Sequence, residues 1–357
     1  MVDVEKMLED DNNPDSRRMD EERWRVQSIY RVPEWLKGTN PKAYQPRLVS
    51  LGPLHHCDSN LLPMEGHKRR ALVHLIKRSN KQLEDFISAI HDVVEDLEAA
   101  YGKDLPVKLR NNRQTFVEED EMDLYINLMV LEYLERAPEG RNFAKISLGR
   151  HPLELYHGSL TYNNGAHRVH PPAYKYEMIP SALEIHEAGI KFKKRERGNL
   201  QDIRFEHGVL SMPVIEVVDN TESLYLNLMA FERLHFGVGD LVTAYVIFID
   251  NIIVSAKDVA MLSSNEVLKN MLGCDKEAAK LFNGTLSRGQ LLGPCPGLHN
   301  VQYEVNAYCK ESWHKWRATL IRTYFRNPWA FISLVAATIL LIATLLQTTY
   351  TVMPNKL

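Results

Sequence analysis

The chain has 357 residues, of which 45% are apolar and 25% charged, enough to build a large folded core. Its formal net charge of −3 removes the electrostatic reason to expect a nucleic-acid partner. The four cysteines, Cys57, Cys274, Cys295 and Cys309, form no C-x-x-C pair. That excludes the commonest zinc and redox signatures and predicts free thiols in a reducing compartment.

Residues 1–25 are acidic and lack apolar periodicity, and they contain no stretch that could serve as a signal peptide. They are expected to form a disordered arm. A segment punctuated by Pro33, Pro41, Pro46 and Pro53 follows, which no helix crosses intact. From Met64 to Tyr101 apolar residues recur at steps of three and four, predicting one long helix or a broken pair ended by Gly102. A further helix is expected from about Glu118 to Arg136. Residues 141–178, rich in Gly, His, Pro and Tyr, show no period and read as loop.

Pro180-Ser181-Ala182 marks a helix start, running through Glu187 to Gly189. Alternation at Ile190–Lys193, Ile203–Phe205 and Val214–Val217, with turn residues at Arg197-Gly198-Asn199 and His207-Gly208, predicts a small antiparallel β-meander over 190–218. Residues 221–282 are helical in pattern, with a break near Gly237-Val238-Gly239. A Gly- and Pro-rich loop then leads to an amphipathic helix over Val301–Tyr324.

Trp329 to Leu346 is apolar except for Ser333, Thr338 and Thr344, and no charge falls between Arg326 and Lys356. A helix of about 20 apolar residues crosses the hydrocarbon core of a bilayer, so 327–350 reads as a transmembrane helix through Trp329, Leu334, Leu340 and Leu346. Lys310, Lys315, Arg317, Arg322 and Arg326 precede it, against the single Lys356 in the tail at 351–357. By the positive-inside rule the body is cytosolic. The expectation is a tail-anchored, single-pass protein of the plasma membrane or endoplasmic reticulum, with Lys315, Arg317, Arg322 and Arg326 at the lipid headgroups.

Two segments one hundred residues apart are similar, Leu124–Leu134 and Leu224–Leu234. Their shared Asn127/Asn227 and Glu132/Glu232 read as polar pegs in a helical core, satisfied by nearby backbone.

Ile29-Tyr30-Arg31-Val32-Pro33, Leu51-Gly52-Pro53-Leu54-His55-His56, Met64-Glu65-Gly66-His67-Lys68-Arg69, Pro180-Ser181-Ala182-Leu183-Glu184, Asn227-Leu228-Met229-Ala230-Phe231-Glu232 and Asn327-Pro328-Trp329-Ala330 stand in an order that resembles the plant DUF247 family, also called UPF0481. The resemblance covers roughly residues 26–352. It implies a mainly α protein, with a helical cytosolic domain over 26–324 that carries the β-meander, then the membrane helix. It carries over no catalytic activity; some grass members act in pollen recognition at self-incompatibility loci. The family's D-G-C-F and E-N-Q-[IL]-P motifs are missing, and the region 102–179 looks short. Recognition or signalling at a membrane is therefore the leading expectation, beside two alternatives: a membrane-bound enzyme and a divergent inactive copy.

Enzyme-like chemistry has two candidate sources. His55, His56 and Cys57 with His67 and His74 could form a metal set, since His67 and His74 share a helix face, but the spacing fits no standard zinc motif and the imidazoles could equally bond backbone. The acidic run 118–123 could hold magnesium, or simply suit the first turn of a helix. No Gly-rich phosphate loop and no G-x-S-x-G elbow occurs, so no cofactor is expected. The basic run Lys191–Arg197 reads either as an edge strand protected by lysines or as a contact for anionic lipid or an acidic partner.

Overall fold

The computed structural model describes residues 27–38, 40–50, 53–55, 58–79, 81–92, 94–101, 151–161, 178–195, 199–235, 237–286, 298–311, 317, 319 and 328–352. The fold is mainly α with a few short strands. After the short helix α1 (Glu34–Lys37), the predicted helical stretch is three pieces, α2 (Leu62–Ser79), α3 (Leu83–His91) and α4 (Val94–Tyr101). The chain start is tied to the end of α4, where the Ala100 carbonyl accepts from the Ser28 and Ile29 amides, each at 3.0 Å. The helix expected at 118–136, its polar pegs Asn127 and Glu132, and Gly102 lie outside the described residues.

Helix α5 (Pro152–Thr161) falls in a stretch that reads as loop from composition. Its start carries the signal: Pro152 suits the first helical position, where its missing N–H costs nothing, and Leu153, Tyr156 and Leu160 then share a face. Helix α6 (Ala182–Glu187) begins as expected. The Ser181 hydroxyl accepts from the Glu184 amide, and the Glu184 carboxylate accepts from the Ser181 amide.

The strands depart from a meander. β1 (Lys191–Arg195), β2 (Arg204–Glu206) and β3 (Val209–Pro213) stand in the order β1-β3-β2, with β1 parallel and β2 antiparallel to β3. The hairpin at His207-Gly208 is real, and both residues have positive φ, 51° and 74°, as a two-residue turn of primed type requires. The β1–β2 connection is different. It runs over residues 196–203, too long for a tight turn, and the Leu200 amide donates to the Leu160 carbonyl of α5 at 3.1 Å. The chain is thus carried across, and β3, whose Leu210 and Met212 are fully buried, takes the centre. β4 (Ile215–Val217) leaves this sheet to pair in parallel with β5 (Leu268–Asn270), a strand inside the stretch expected to be all helix.

Around this sheet pack α7 (Thr221–Leu234), α8 (Leu241–Ile252), α9 (Ala256–Ser264) and α10 (Asp275–Lys280), followed by one wide helical turn at 281–286 and α11 (His299–Lys310). α8 is the axis of the core, apolar on nearly every side and buried at most positions. Leu228, Phe248, Ile249, Val259, Leu262 and Phe282 are completely buried and belong to one cluster with the inner face of the sheet. α11 ends at Lys310, where Glu311 leaves helical geometry; of the rest of the helix expected to reach Tyr324, Arg317 and Thr319 are helical, and residues 312–316, 318 and 320–324 lie outside the described residues.

α12 (Pro328–Val352) is 25 residues long, and its segment Trp329–Tyr350 has mean hydropathy 2.4 with none of its best window buried against protein. Its hydroxyls turn inward: Ser333, Thr338, Thr344 and Thr348 each donate to the carbonyl four residues back, at 2.7–2.9 Å.

Among the described residues Cys274 and Cys309 are free thiols, and burial, with the Glu184 carboxylate nearby, pushes the Cys309 thiol up to about 11. Half-burial in the last turn of α8 likewise raises the Asp250 carboxyl from its ordinary 3.8 to about 6. The folded chain then holds this proton more tightly than the unfolded one. Stability is fullest below the ordinary carboxyl range and is lost as pH rises through about 6. Solvent screening of a half-exposed group holds the effect to about 1 kcal/mol. Asp250→Asn should raise the unfolding free energy by that amount at pH 7 and leave it unchanged at pH 4, as thermal unfolding at the two pH values will read.

Candidate functional site

The histidines singled out in the sequence do not converge among the described residues. His55 closes a single helical turn, Pro53–His55, and its Nδ1 lies 3.1 Å from Asp58 Oδ2 in the open. His67 and His74 stand exposed on α2. His56, Cys57 and the acidic run 118–123 lie outside the described residues, and among those described no three His, Cys, Asp or Glu side chains are grouped to hold a metal. Of the basic residues before α12, Arg317 is exposed, while Lys315, Arg322 and Arg326 lie outside the described residues. Trp329, Leu340 and Leu346 are exposed along α12, and Leu334 is half-exposed.

A different set of imidazoles does gather, around Phe231 in the last turns of α7. His235 stacks on its ring, with centroids 5.0 Å apart and planes at 11°. His151 and His157, before and within α5, meet it edge-on at 5.4 and 5.5 Å. Tyr30 from the first described segment completes the group edge-on to His235, at 5.9 Å.

Hydrogen bonds fix the rings. His151 Nδ1 accepts from the Glu154 amide at 3.2 Å, so Nε2 carries the proton it donates to the Ser28 carbonyl at 2.9 Å. The Tyr30 hydroxyl donates to the Gln27 carbonyl at 2.7 Å, which leaves its oxygen to accept from His235 Nδ1 at 3.0 Å. These bonds hold the His151 and His235 rings as struts between segments distant in the chain.

Beneath Phe231 lies a polar group with four hydrogen bonds. Glu232 is buried, and its Oε1 accepts from His157 Nε2 at 2.9 Å and from the Val242 amide at 2.7 Å. Oε2 accepts from the amide and hydroxyl of Thr243 at 2.8 and 2.7 Å. Val242 and Thr243 are the second and third residues of α8, whose first amides have no acceptor within their own helix. Asp240, at the usual capping position, makes no cap bond with its side chain. A carboxylate from the preceding helix caps α8 and pins α5 through His157 at once. Asn227, one turn earlier, donates to the carbonyls of Ala43 and Ser223 at 2.9 and 2.7 Å, which is the role its position suggested.

These elements frame a cleft of about 360 Å³ lined by apolar and aromatic side chains, including Ile29, Tyr30, Leu54, Leu153, Phe231 and Leu234. Ser28 and Asn227 also line it, and among the described residues the buried Ser28 hydroxyl finds no hydrogen-bond partner. The volume falls in the range of small-ligand pockets, roughly 300–1,000 Å³. Tyr30, His151, His157 and His235 were not legible as a set, since they meet only through contacts between distant segments. Replacing Glu232 with Ala should cost about 3–5 kcal/mol, because it strands a buried imidazole and two helix-terminal amides. Chemical unfolding of the variant will measure it; a loss below about 1 kcal/mol would mean the carboxylate organises nothing.

The comparisons with known proteins agree with the resemblance read from the motifs. The DUF247 family model, described as plant protein of unknown function, matches residues 29–119 and 110–343 in two overlapping segments. One UPF0481 protein of Arabidopsis thaliana is 32% identical over 179 residues, covering 50% of this chain and 34% of its own length. Another from the same plant is 23% identical over 410 residues, covering 91% of this chain and 86% of its own length. That match is longer than the 357-residue chain, so this relative carries residues that the chain lacks. The chain spans about a third of the first relative. No solved structure matches. The chain belongs to the DUF247, or UPF0481, family of plant proteins.

Proposed function

We propose that this is a single-pass membrane protein whose helical domain faces the cytosol and acts by recognition, binding a partner and transmitting its presence without chemistry of its own. The observation that carries the membrane part is α12. A 22-residue apolar segment that the folded domain leaves uncovered would be a severe aggregation liability in water. Its bonded hydroxyls suit hydrocarbon, where an unsatisfied polar group costs several kcal/mol. Trp329 and Tyr350 stand at the two ends, 77% and 82% exposed, where interfacial aromatics sit. The cytosolic orientation rests on the basic residues before the helix.

The recognition part is supported by the cleft beside Phe231, with imidazoles held as struts and an apolar lining suited to receive a side chain or small apolar ligand. It agrees with what the family resemblance implies. In cells, the full chain should resist extraction from membranes by alkali, and a chain ended after Arg326 should be recovered in the soluble fraction. Retention of the shortened chain in alkali-washed membranes would overturn the anchor.

A further inference from the structure

The solvent face of the three-stranded sheet carries a concentration of positive charge that the described residues do not neutralise. Register places Lys193, Ser211 and Arg204 in one row across the strands, and Lys191, Val209 and Glu206 in the next. In-register residues project to the same side of a sheet, and so do alternate residues along a strand. Lys191, Lys193, Arg195 and Arg204 therefore share one face with a single acid, Glu206, while Phe192, Leu210 and Phe205 form the row on the opposite face, toward the core.

Neighbouring cations are paired. Lys194, on the core-side register, bonds Glu266; Lys269 meets Glu216 at 2.9 Å; Arg204 reaches Asp202 at 3.8 Å. Lys191 and Lys193 are exposed, Arg195 is half-exposed, and none of the three has a carboxylate partner among the described residues. In a chain with net charge −3, three cations at alternate positions of one strand, unpaired among the described residues, go beyond what edge protection needs, since one lysine blunts an edge.

The sheet is also close to the anchor along the chain. α11 packs on it through Tyr308, edge-on to Phe205 at 5.5 Å, and a side chain on Gly208 would meet the Tyr308 hydroxyl at 3.0 Å. The 17 residues from 311 to 327 then lead to α12, a length of chain that would reach about 25 Å even if wholly helical, ample to round a sheet about 10 Å thick.

Resting on the membrane reading above, we infer that this basic face docks on anionic lipid headgroups of the bilayer that holds α12, laying the domain against its own membrane. Each basic side chain at an anionic surface multiplies the docked population about fivefold. The face has the rigidity that a disordered basic tail lacks, because three hydrogen-bonded strands fix the spacing of its charges.

The test uses the full chain in lipid nanodiscs of phosphatidylcholine alone or with phosphatidylserine, pulse-labelled with an amine-acetylating reagent and read residue by residue by mass spectrometry. Labelling of Lys191 and Lys193 should fall severalfold in the serine-containing discs. Lys257 and Lys276, exposed on α9 and α10, should label equally in both and so report any change in reagent concentration near the lipid. Labelling should return at 1 M salt, where the Debye length is about 3 Å. Equal labelling of Lys191 and Lys193 in both discs overturns the docking and leaves the anchor standing; failure of the chain to enter discs overturns both. Protection produced by added polyglutamate but not by phosphatidylserine assigns the face to an acidic protein and overturns the lipid proposal.

Discussion

The fold of the helical domain depends on what becomes of the Glu232 carboxylate. Taking such a group out of water costs several kcal/mol, and charge-assisted hydrogen bonds of about 1.5–3 kcal/mol each are what offset it. Four donors converge on it, two from the open first turn of α8, one from the Thr243 hydroxyl and one from His157. The same contact thus starts the central helix, ends the turn after α7 and holds α5 against both. Asp258 repeats the device. One of its oxygens accepts from the Ser255 amide and hydroxyl at 2.8 and 2.7 Å, and the other from the Leu183 amide of α6 at 2.9 Å, so a buried carboxylate joins the starts of two helices. Helix ends that would need water are closed from within, which lets them be buried.

The cleft follows from that arrangement. Phe231 precedes Glu232, so fixing the carboxylate fixes the ring on which His151, His157 and His235 rest. α12 differs: among the described residues its apolar surface is left uncovered by protein, and its hydroxyls return to their own helix. The domain satisfies buried helix-terminal groups by tertiary carboxylate caps, and α12 satisfies its hydroxyls by local back-bonding.

What the sequence reveals divides along the range of the interactions. α12 is legible because its apolar composition runs over consecutive residues, and α6 because Ser181 and Glu184 are three apart. The His207-Gly208 turn is legible for the same local reason. The parallel β1–β3 pairing is not, since it depends on how Leu200 is drawn to Leu160. α5 hides in a region of mixed composition, with only Pro152 and three apolar residues to mark it. Glu232 could be read as a polar peg, yet its partner His157 lies 75 residues away in a segment without a visible period. Of the histidines that draw attention in the sequence, His67 and His74 stand exposed and His55 lines the cleft beside Asp58, while those that gather on Phe231 are dispersed along the chain.

The capping role of Glu232 is open to direct measurement through amide hydrogen exchange at Val242 and Thr243. Amides in the first turn of a helix lack an intrahelical acceptor and ordinarily exchange early. Bonding to Glu232 predicts that these two exchange as slowly as Phe248 and Ile249 in the middle of α8. Exchange as fast as in an uncapped first turn would contradict the central place given to this carboxylate.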